Sequence, residues 1–209
     1  MNTLIAVPCM DQVPAIFAQS LSMLEKVDAC AVSFNIGSLI YTSREQLAKR
    51  AIEMGASHVF WLDSDMQFRP DTLVRLHKDL AEGKGDIISG LYFRRVPPYT
   101  PVVFDKLEIS EEKASWSEPD TVPEDIFEVE GVGFGCVLMP TDIFIDIFYK
   151  YGTAFTPLSG FGEDLSFCWR ARQLGFKIVC DPSIELGHVG HHIITRDFYN
   201  IFRSKKNDT

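Results

Sequence analysis

Short unbroken apolar runs alternate along the chain with stripes in which apolar side chains recur every three or four positions. Runs at 3–9, 29–34 and 59–62, and another in DIISGLYF from Asp86, predict buried strands, the first stopped by Pro8. Between them Ile16, Phe17, Leu21, Leu24 and Val27 predict a helix over 13–26. Leu47, Ala48, Ala51 and Ile52 predict a second helix from Thr42 or Ser43 to Met54, with Ser43 and Gln46 at capping-box spacing and Gly55 as its stop. A third opens at Pro70 or Asp71 and carries Leu73, Leu76 and Leu80 on one side. This alternation describes an α/β fold with a largely parallel sheet, in which ligands bind beyond the carboxyl ends of the strands.

The second half is less regular. Residues 101–104 predict a short strand, and 105–125 a long acidic loop or a weakly ordered hairpin with few apolar anchors. A strand over 129–139, with glycines at 131, 133 and 135, reads as one that needs close backbone approach. Thr141 caps a helix with Ile143, Phe144, Ile147 and Phe148, stopped by Gly152. LSFCWRARQLG predicts a helix ended by Gly175, FKIVCDP a strand ended by Pro182, and 195–203 a last helix before a frayed tail at 204–209. No internal repeat or Gly/Ser/Pro linker divides the chain, so residues 1–203 are read as a single compact domain.

Composition narrows the function classes. The 209 residues carry 46% apolar and 23% charged side chains with a net charge of −9. That length suffices for one well-cored domain, and the acid excess argues against nucleic acid as a partner. Five scattered cysteines without a CxxC pair read as buried reduced thiols. The amino terminus lacks Lys or Arg before an apolar start that Pro8, Asp11 and Gln12 interrupt, a poor signal peptide. No stretch reaches the roughly 18 uncharged apolar residues of a membrane span.

Several groups carry candidate chemistry. Asp63 and Asp65 flank Ser64 directly after the VFWL run. Paired carboxylates repel, and a divalent cation with oxygen preference relieves that repulsion; a solvated turn in which an aspartate caps the next helix is the plainer alternative. Glu163 and Asp164 follow Gly160 and Gly162 at a helix start, where acids favour the positive helix end and where one could take a proton from a hydroxyl. His188, in LGHVGHH, is a metal ligand or a surface histidine; His191 and His192 are less constrained, and the glutamate of an HExxH zinc helix is missing. Arg44, Arg94 and Arg95 offer guanidinium forks to phosphate. GxSxG, GxxxxGK[ST] and a first-strand GxGxxG are absent, which disfavours a serine hydrolase, a P-loop NTPase and a classical NAD enzyme.

Taken in order, four segments resemble glycosyltransferases of the GT-A type, similar to family 2 and to small bacterial and phage-encoded members. REQLAKRAIEMGASHVFWLDSDMQFRPDTLVRL matches their helix, strand and D-x-D segment, and DIISGLYFRRVPPYTPVVF the next strand and its Arg-containing loop. GVGFGCVLMPTDIF matches the Gly-rich strand near the acceptor, and GFGEDLSFCWRARQLGFKIVCDPSIELGHVG the E-D helix and terminal metal histidine. The likeness covers most of residues 1–195 and weakens over 105–125. It implies a GT-A fold, a nucleotide-diphospho-sugar donor, an unidentified hydroxyl acceptor, and Mn²⁺ (or Mg²⁺) as cofactor. Asp65 is then the direct metal ligand, His188 the later metal histidine, and Asp63 a ribose contact or support for the metal. Pro8, Asp11, Arg44, Ser64 and Arg94 fall where the family holds the nucleotide-sugar. Asp164 falls at the inverting catalytic base, with Glu163 able to exchange roles with it. The resemblance also implies a cytoplasmic location, in a bacterium or in the host of a phage, and leaves the oligomeric state open. A retaining outcome, a sugar-phosphate nucleotidyltransferase and a non-catalytic nucleotide-sugar binding module remain alternatives, although VPCMDQVP lacks the glycine- and base-rich triphosphate loop of the second.

Overall fold

The computed structural model describes residues 2–27, 29–37, 39–109, 114–158, 160–190 and 193–207. The first half runs β1 (Asn2–Cys9), α1 (Ala15–Met23), β2 (Ala29–Ile36), α2 (Ile40–Glu53), β3 (His58–Leu62), β4 (Met66–Gln67), α3 (Thr72–Ala81) and β5 (Ile87–Leu91). The second half starts with short strands: β6 (Val103–Phe104), β7 (Lys106–Ile109), β8 (Ala114–Ser117), β9 (Phe127–Val129), β10 (Gly131–Val132) and β11 (Cys136–Pro140). It closes with α4 (Asp142–Tyr151), α5 (Glu163–Gln173), β12 (Ile178–Glu185), β13 (Gly187–Val189), β14 (Ile193–Ile194) and α6 (Arg196–Asn207).

A seven-stranded sheet in the order β2-β1-β3-β11-β5-β12-β9 forms the centre. β11 runs antiparallel between β3 and β5, and β9 antiparallel to β12; the other pairs are parallel. The carboxyl ends of β1, β2, β3, β5 and β12 therefore meet at one edge, and the order reverses where β1 sits between β2 and β3. That is where open α/β sheets place their ligands.

The unbroken apolar runs are explained by cover on both faces. Along β3, Val59 and Trp61 join a core with Leu47 and Ala48 of α2, Phe144 of α4 and Phe167 of α5, while Phe60 and Leu62 join a second core with Phe17 of α1 and Leu73 and Leu76 of α3. Alternate residues of a strand point to opposite faces, so a strand buried on both reads as continuously apolar. Trp61 is fully buried and meets the rings of Phe134, Phe144 and Phe155 edge-on at 5.6, 5.9 and 5.3 Å. Such aromatic pairs add packing energy beyond their buried area.

Several local expectations change. β1 continues through Pro8 to Cys9, because β3 leaves β1 after Ala6 and that side of the strand no longer needs an N–H. α2 begins at Ile40, without a side-chain cap; Ser43 Oγ donates to Asn35 Oδ1 at 3.4 Å, and Asn35 Nδ2 donates to Gln46 Oε1 at 2.6 Å. Tertiary partners have taken the residues that a capping box would use. The strand expected over 129–139 is three, β9, β10 and β11. β12 passes Pro182 through an irregularity in register between Asp181 and Glu185, where a missing N–H is tolerated. Thr141 stands at the α4 amino terminus but makes no side-chain cap, whereas Gly152 ends that helix at φ 73° as read. Within 105–125 the hairpin alternative holds over part of the segment, where β7 and β8 pair antiparallel. α6 reaches Asn207, into the stretch read as a frayed tail. His191 and His192 lie outside the described residues.

Candidate active site

The chain leaving β3 turns sharply, and that turn shapes the D-x-D segment. The Asp63 N–H donates to Gly135 O at 3.3 Å and the Met66 N–H to Asp63 O at 3.3 Å, closing a turn that leads straight into β4. β4 is the edge of a three-stranded sheet, β14-β13-β4, in which Met66 lies opposite His188. The Val189 N–H also donates to Asp65 O at 2.8 Å. This small sheet brings Asp65 and His188 together from opposite halves of the sequence.

His188 Nδ1 donates to the Phe93 carbonyl at 2.8 Å, since a carbonyl can only accept. Its Nε2 lies 3.5 Å from Asp65 Oδ2. Burial would lower the imidazole's pKa, but Asp65 and the Phe93 carbonyl outweigh it, so His188 is raised above its ordinary value. Burial likewise opposes the ionised Asp65, yet His188 and then Arg95, whose Nη1 donates to Asp65 Oδ2, hold it below the usual carboxylate range. Among the described residues no group of three or more His, Cys, Asp and Glu side chains is placed to hold a metal ion. Asp65 and His188 set one carboxylate oxygen and one imidazole nitrogen side by side, donor types that divalent transition metals accept.

Asp63 faces the other way. Arg44, only 3% exposed, donates from Nη2 to Asp63 Oδ1 at 2.8 Å and from Nη1 to Glu163 Oε1 at 2.6 Å. Its guanidinium lies over the Phe134 ring, 5.2 Å from the centroid. Burial opposes the charge of Arg44, but Asp63, Glu163 and Asp164 outweigh it and raise its pKa. The residue read from sequence as a phosphate contact is a buried clamp joining the end of β3 to the start of α5.

Asp164 sits in the first turn of α5, half-buried, with Oδ1 accepting the Leu165 N–H at 2.7 Å. Burial is the main force pushing its carboxyl up to about 6; Arg44 opposes, and Glu163 and Asp63 add to the rise. A Cβ at Gly162 would come within 3.1 Å of Asp164 Oδ1, so the glycine leaves the carboxylate its room. The loop before α5 is bolted down: Arg170 donates to the carbonyls of Ala154 and Thr156 at 2.9 and 2.8 Å, and Glu45 Oε2 accepts the N–H groups of Ala154 and Phe155.

Asp63, Asp164 and His188 line one open cleft of about 390 Å³, together with Tyr92, Arg94, Arg95 and Trp116. Arg94 is held by Glu118, with Nη2 donating to Oε1 at 2.8 Å. Arg44 and Glu163 stand behind the wall. Ser64 is half-buried in the D-x-D turn, Pro8 is buried in β1, and Asp11 is exposed beyond it, where its charge joins burial in raising the Cys9 thiol.

Tyr92 and Trp116 also line the cleft, and the sequence did not single them out. The Tyr92 hydroxyl accepts the Gly135 N–H at 3.1 Å, and its ring meets His188 edge-on at 5.6 Å. A Cβ at Gly133 would collide with that hydroxyl, and one at Gly135 would lie 2.7 Å from the Tyr92 Cζ. The alternating glycines were the available signal: they mark a backbone pressed against a ring.

No protein-family model and no curated protein matches the chain. Solved structures do. The crystal structure of A197 from STIV is similar at TM-score 0.69 and 19% identity, over 91% of this chain and 86% of that one. The crystal structure of GalNAc-T7 with UDP, GalNAc and Mn²⁺ is similar at TM-score 0.60 and 10% identity, over 91% of this chain and 43% of that one. At such identities the likeness concerns the fold: a central mixed, largely parallel sheet flanked by helices in a GT-A-like arrangement. Among the described residues no helix is long and apolar enough to cross a membrane.

Proposed function

We propose that this cleft transfers a sugar from a nucleotide-diphospho-sugar to a hydroxyl acceptor with inversion, using a divalent cation, Mn²⁺ by preference. The observation that carries the reading is the pairing, around one cleft at the carboxyl ends of the strands, of a His–Asp donor set (His188 and Asp65) with a carboxyl group of raised pKa (Asp164). The GalNAc-T7 structure, whose fold is arranged alike, holds UDP and Mn²⁺.

Asp65 and His188 would hold the cation, which when bound supplies charge stabilisation for the departing nucleoside diphosphate. Arg95 and Arg94 stand at the rim, where guanidinium forks suit phosphate oxygens. Pro8, Asp11 and Ser64 are left to the nucleoside side of the donor. Asp164, with a pKa near 6, is ionised yet basic at neutral pH, as a general base must be. It takes the acceptor's hydroxyl proton while that oxygen bonds to the anomeric carbon and the bond from that carbon to the phosphate oxygen breaks. Arg44 ties Glu163 down at 2.6 Å and so holds the start of α5 in place, which leaves Glu163 a positioning role.

Calorimetry with UDP-, GDP- and TDP-sugars, with and without Mn²⁺, tests this. At least one donor is expected to bind only with the cation, and Asp65→Ala and His188→Ala to weaken that binding tenfold or more. Unchanged affinity in both variants, or no binding of any donor by the folded protein, overturns the reading.

A further inference from the structure

The hairpin β7–β8 carries a feature that donor chemistry leaves unused. Leu107 lies directly opposite Trp116, and Ile109 opposite Ala114, so these four side chains share one face of the hairpin. Leu107 and Ala114 are buried against the core, at 4% and 7% exposure, yet Trp116 on the same face remains 47% exposed. It has run past the edge of the core and lines the cleft instead, edge-on to Phe161 at 6.2 Å.

Its position is fixed. The Leu107 N–H donates to Glu130 Oε2 at 2.6 Å, the Asp105 N–H to Ser117 O at 3.0 Å, and Glu118 is tied to Arg94. A Cβ at Gly160 would meet Ala114 Cβ at 2.7 Å, so the hairpin packs directly on the loop that leads to Asp164.

We infer that Trp116 is a specificity-determining residue for the acceptor, and that the acceptor is a neutral pyranoside whose C–H face lies on the indole; this rests on the transferase reading above. A pyranose has an apolar face and a polar rim. The cleft carries both kinds of group: Trp116, Val102 and Phe104 line it together with Asp164 and Arg94. The negative face of an aromatic ring favours the weakly positive C–H groups of a sugar, and rigid aromatic platforms select flat ligands at low entropic cost. Charge sets the second half of the inference. Among the described residues of 105–125, Asp105, Glu108, Glu118, Asp120, Glu124 and Asp125 stand against Lys106, an acid excess that disfavours an anionic acceptor.

The test reads Trp116 directly. Trp61 is fully buried and Trp169 half-buried, so quenchable fluorescence comes mainly from Trp116. Methyl glycosides of neutral hexoses and N-acetylhexosamines, and disaccharides of each, are titrated into the full chain with methyl glucuronide as the anionic comparison. At least one neutral glycoside is expected to shift the emission and protect it from acrylamide. Trp116→Ala should abolish that response, Trp116→Phe should retain binding within about fivefold, and the glucuronide should bind at least tenfold more weakly. In the transfer assay Trp116→Ala should raise the acceptor KM tenfold or more and change kcat at saturating acceptor less than threefold. A response in none of the glycosides, equal binding by Trp116→Ala, tighter binding of the glucuronide, or a loss confined to kcat overturns the inference. Failure of donor binding would instead overturn the transferase reading, which the fluorescence titration does not depend on.

Discussion

At the carboxyl end of β3, Asp63, Glu163 and Asp164 gather around the buried guanidinium of Arg44, which reaches two of them at 2.8 and 2.6 Å. On the opposite face of the sheet, Asp79 of α3 and Asp181 of β12 are 8% and 5% exposed, and Arg75 Nη2 comes no closer to Asp181 than 4.0 Å. Burial first, and the charge of Asp181 second, push Asp79 up to about 6. Asp181 stays the acceptor, taking the Ser183 N–H and hydroxyl on Oδ1. One cluster is relieved by a cation and opens on a cleft; the other is relieved by a retained proton and is sealed. Two carboxyl groups with similarly raised pKa values, Asp164 and Asp79, therefore differ in access, and a count of acids or a pKa alone would not separate them.

The contrast can be broken by removing the cation. Arg44→Met leaves Asp63 and Glu163 facing each other beside a buried apolar side chain, and is expected to cost about 3–5 kcal/mol in urea unfolding. Arg44→Lys should fall between, keeping the charge while losing the fork. A loss below about 1 kcal/mol for Arg44→Met would show that the cluster does not need its cation.

The proton-sharing pair is expected to respond with the opposite sign. Because Asp79 holds its proton more tightly folded than unfolded, stability falls as pH rises from about 4 through about 6 and the deficit persists above. Asp79→Asn should therefore stabilise the protein by about 1–3 kcal/mol at pH 8, do little at pH 4, and leave transfer unchanged. Equal effects at both pH values would sink the shared proton.

Much of the scaffold was legible because it is local. The VFWL run ending in Asp63 and Asp65 predicts a buried strand that delivers carboxylates to the carboxyl edge of the sheet, and β3 does that. The stripes of α2, α3 and α4 mark the faces that meet the sheet. The features that sequence did not reveal are set by distance along the chain. Arg44 and Glu163 lie 119 positions apart, and nothing near Arg44 distinguishes a buried clamp from a surface charge. Tyr92 was hidden inside an apolar run, although Gly133 and Gly135 answer to it. Trp116 was masked by the acidic composition around it, since a two-strand hairpin anchored by one leucine and one alanine leaves almost no periodic signal. The Ser43–Gln46 spacing misled for the same reason: Asn35, on a neighbouring strand, competes for both side chains and wins.

The central claim, that the open cluster does chemistry through Asp164, is tested most directly by nucleoside diphosphate release in the presence of Mn²⁺, measured from pH 5 to 8 for the wild type and Asp164→Asn. The wild-type rate should rise with pH through about 6, as the carboxyl loses its proton, and then level off. Asp164→Asn should bind the donor as before, remain folded, and release product roughly 10²–10⁴-fold more slowly with no limb near pH 6. An Asp164→Asn enzyme as fast as the wild type, with the same pH profile, would contradict the account.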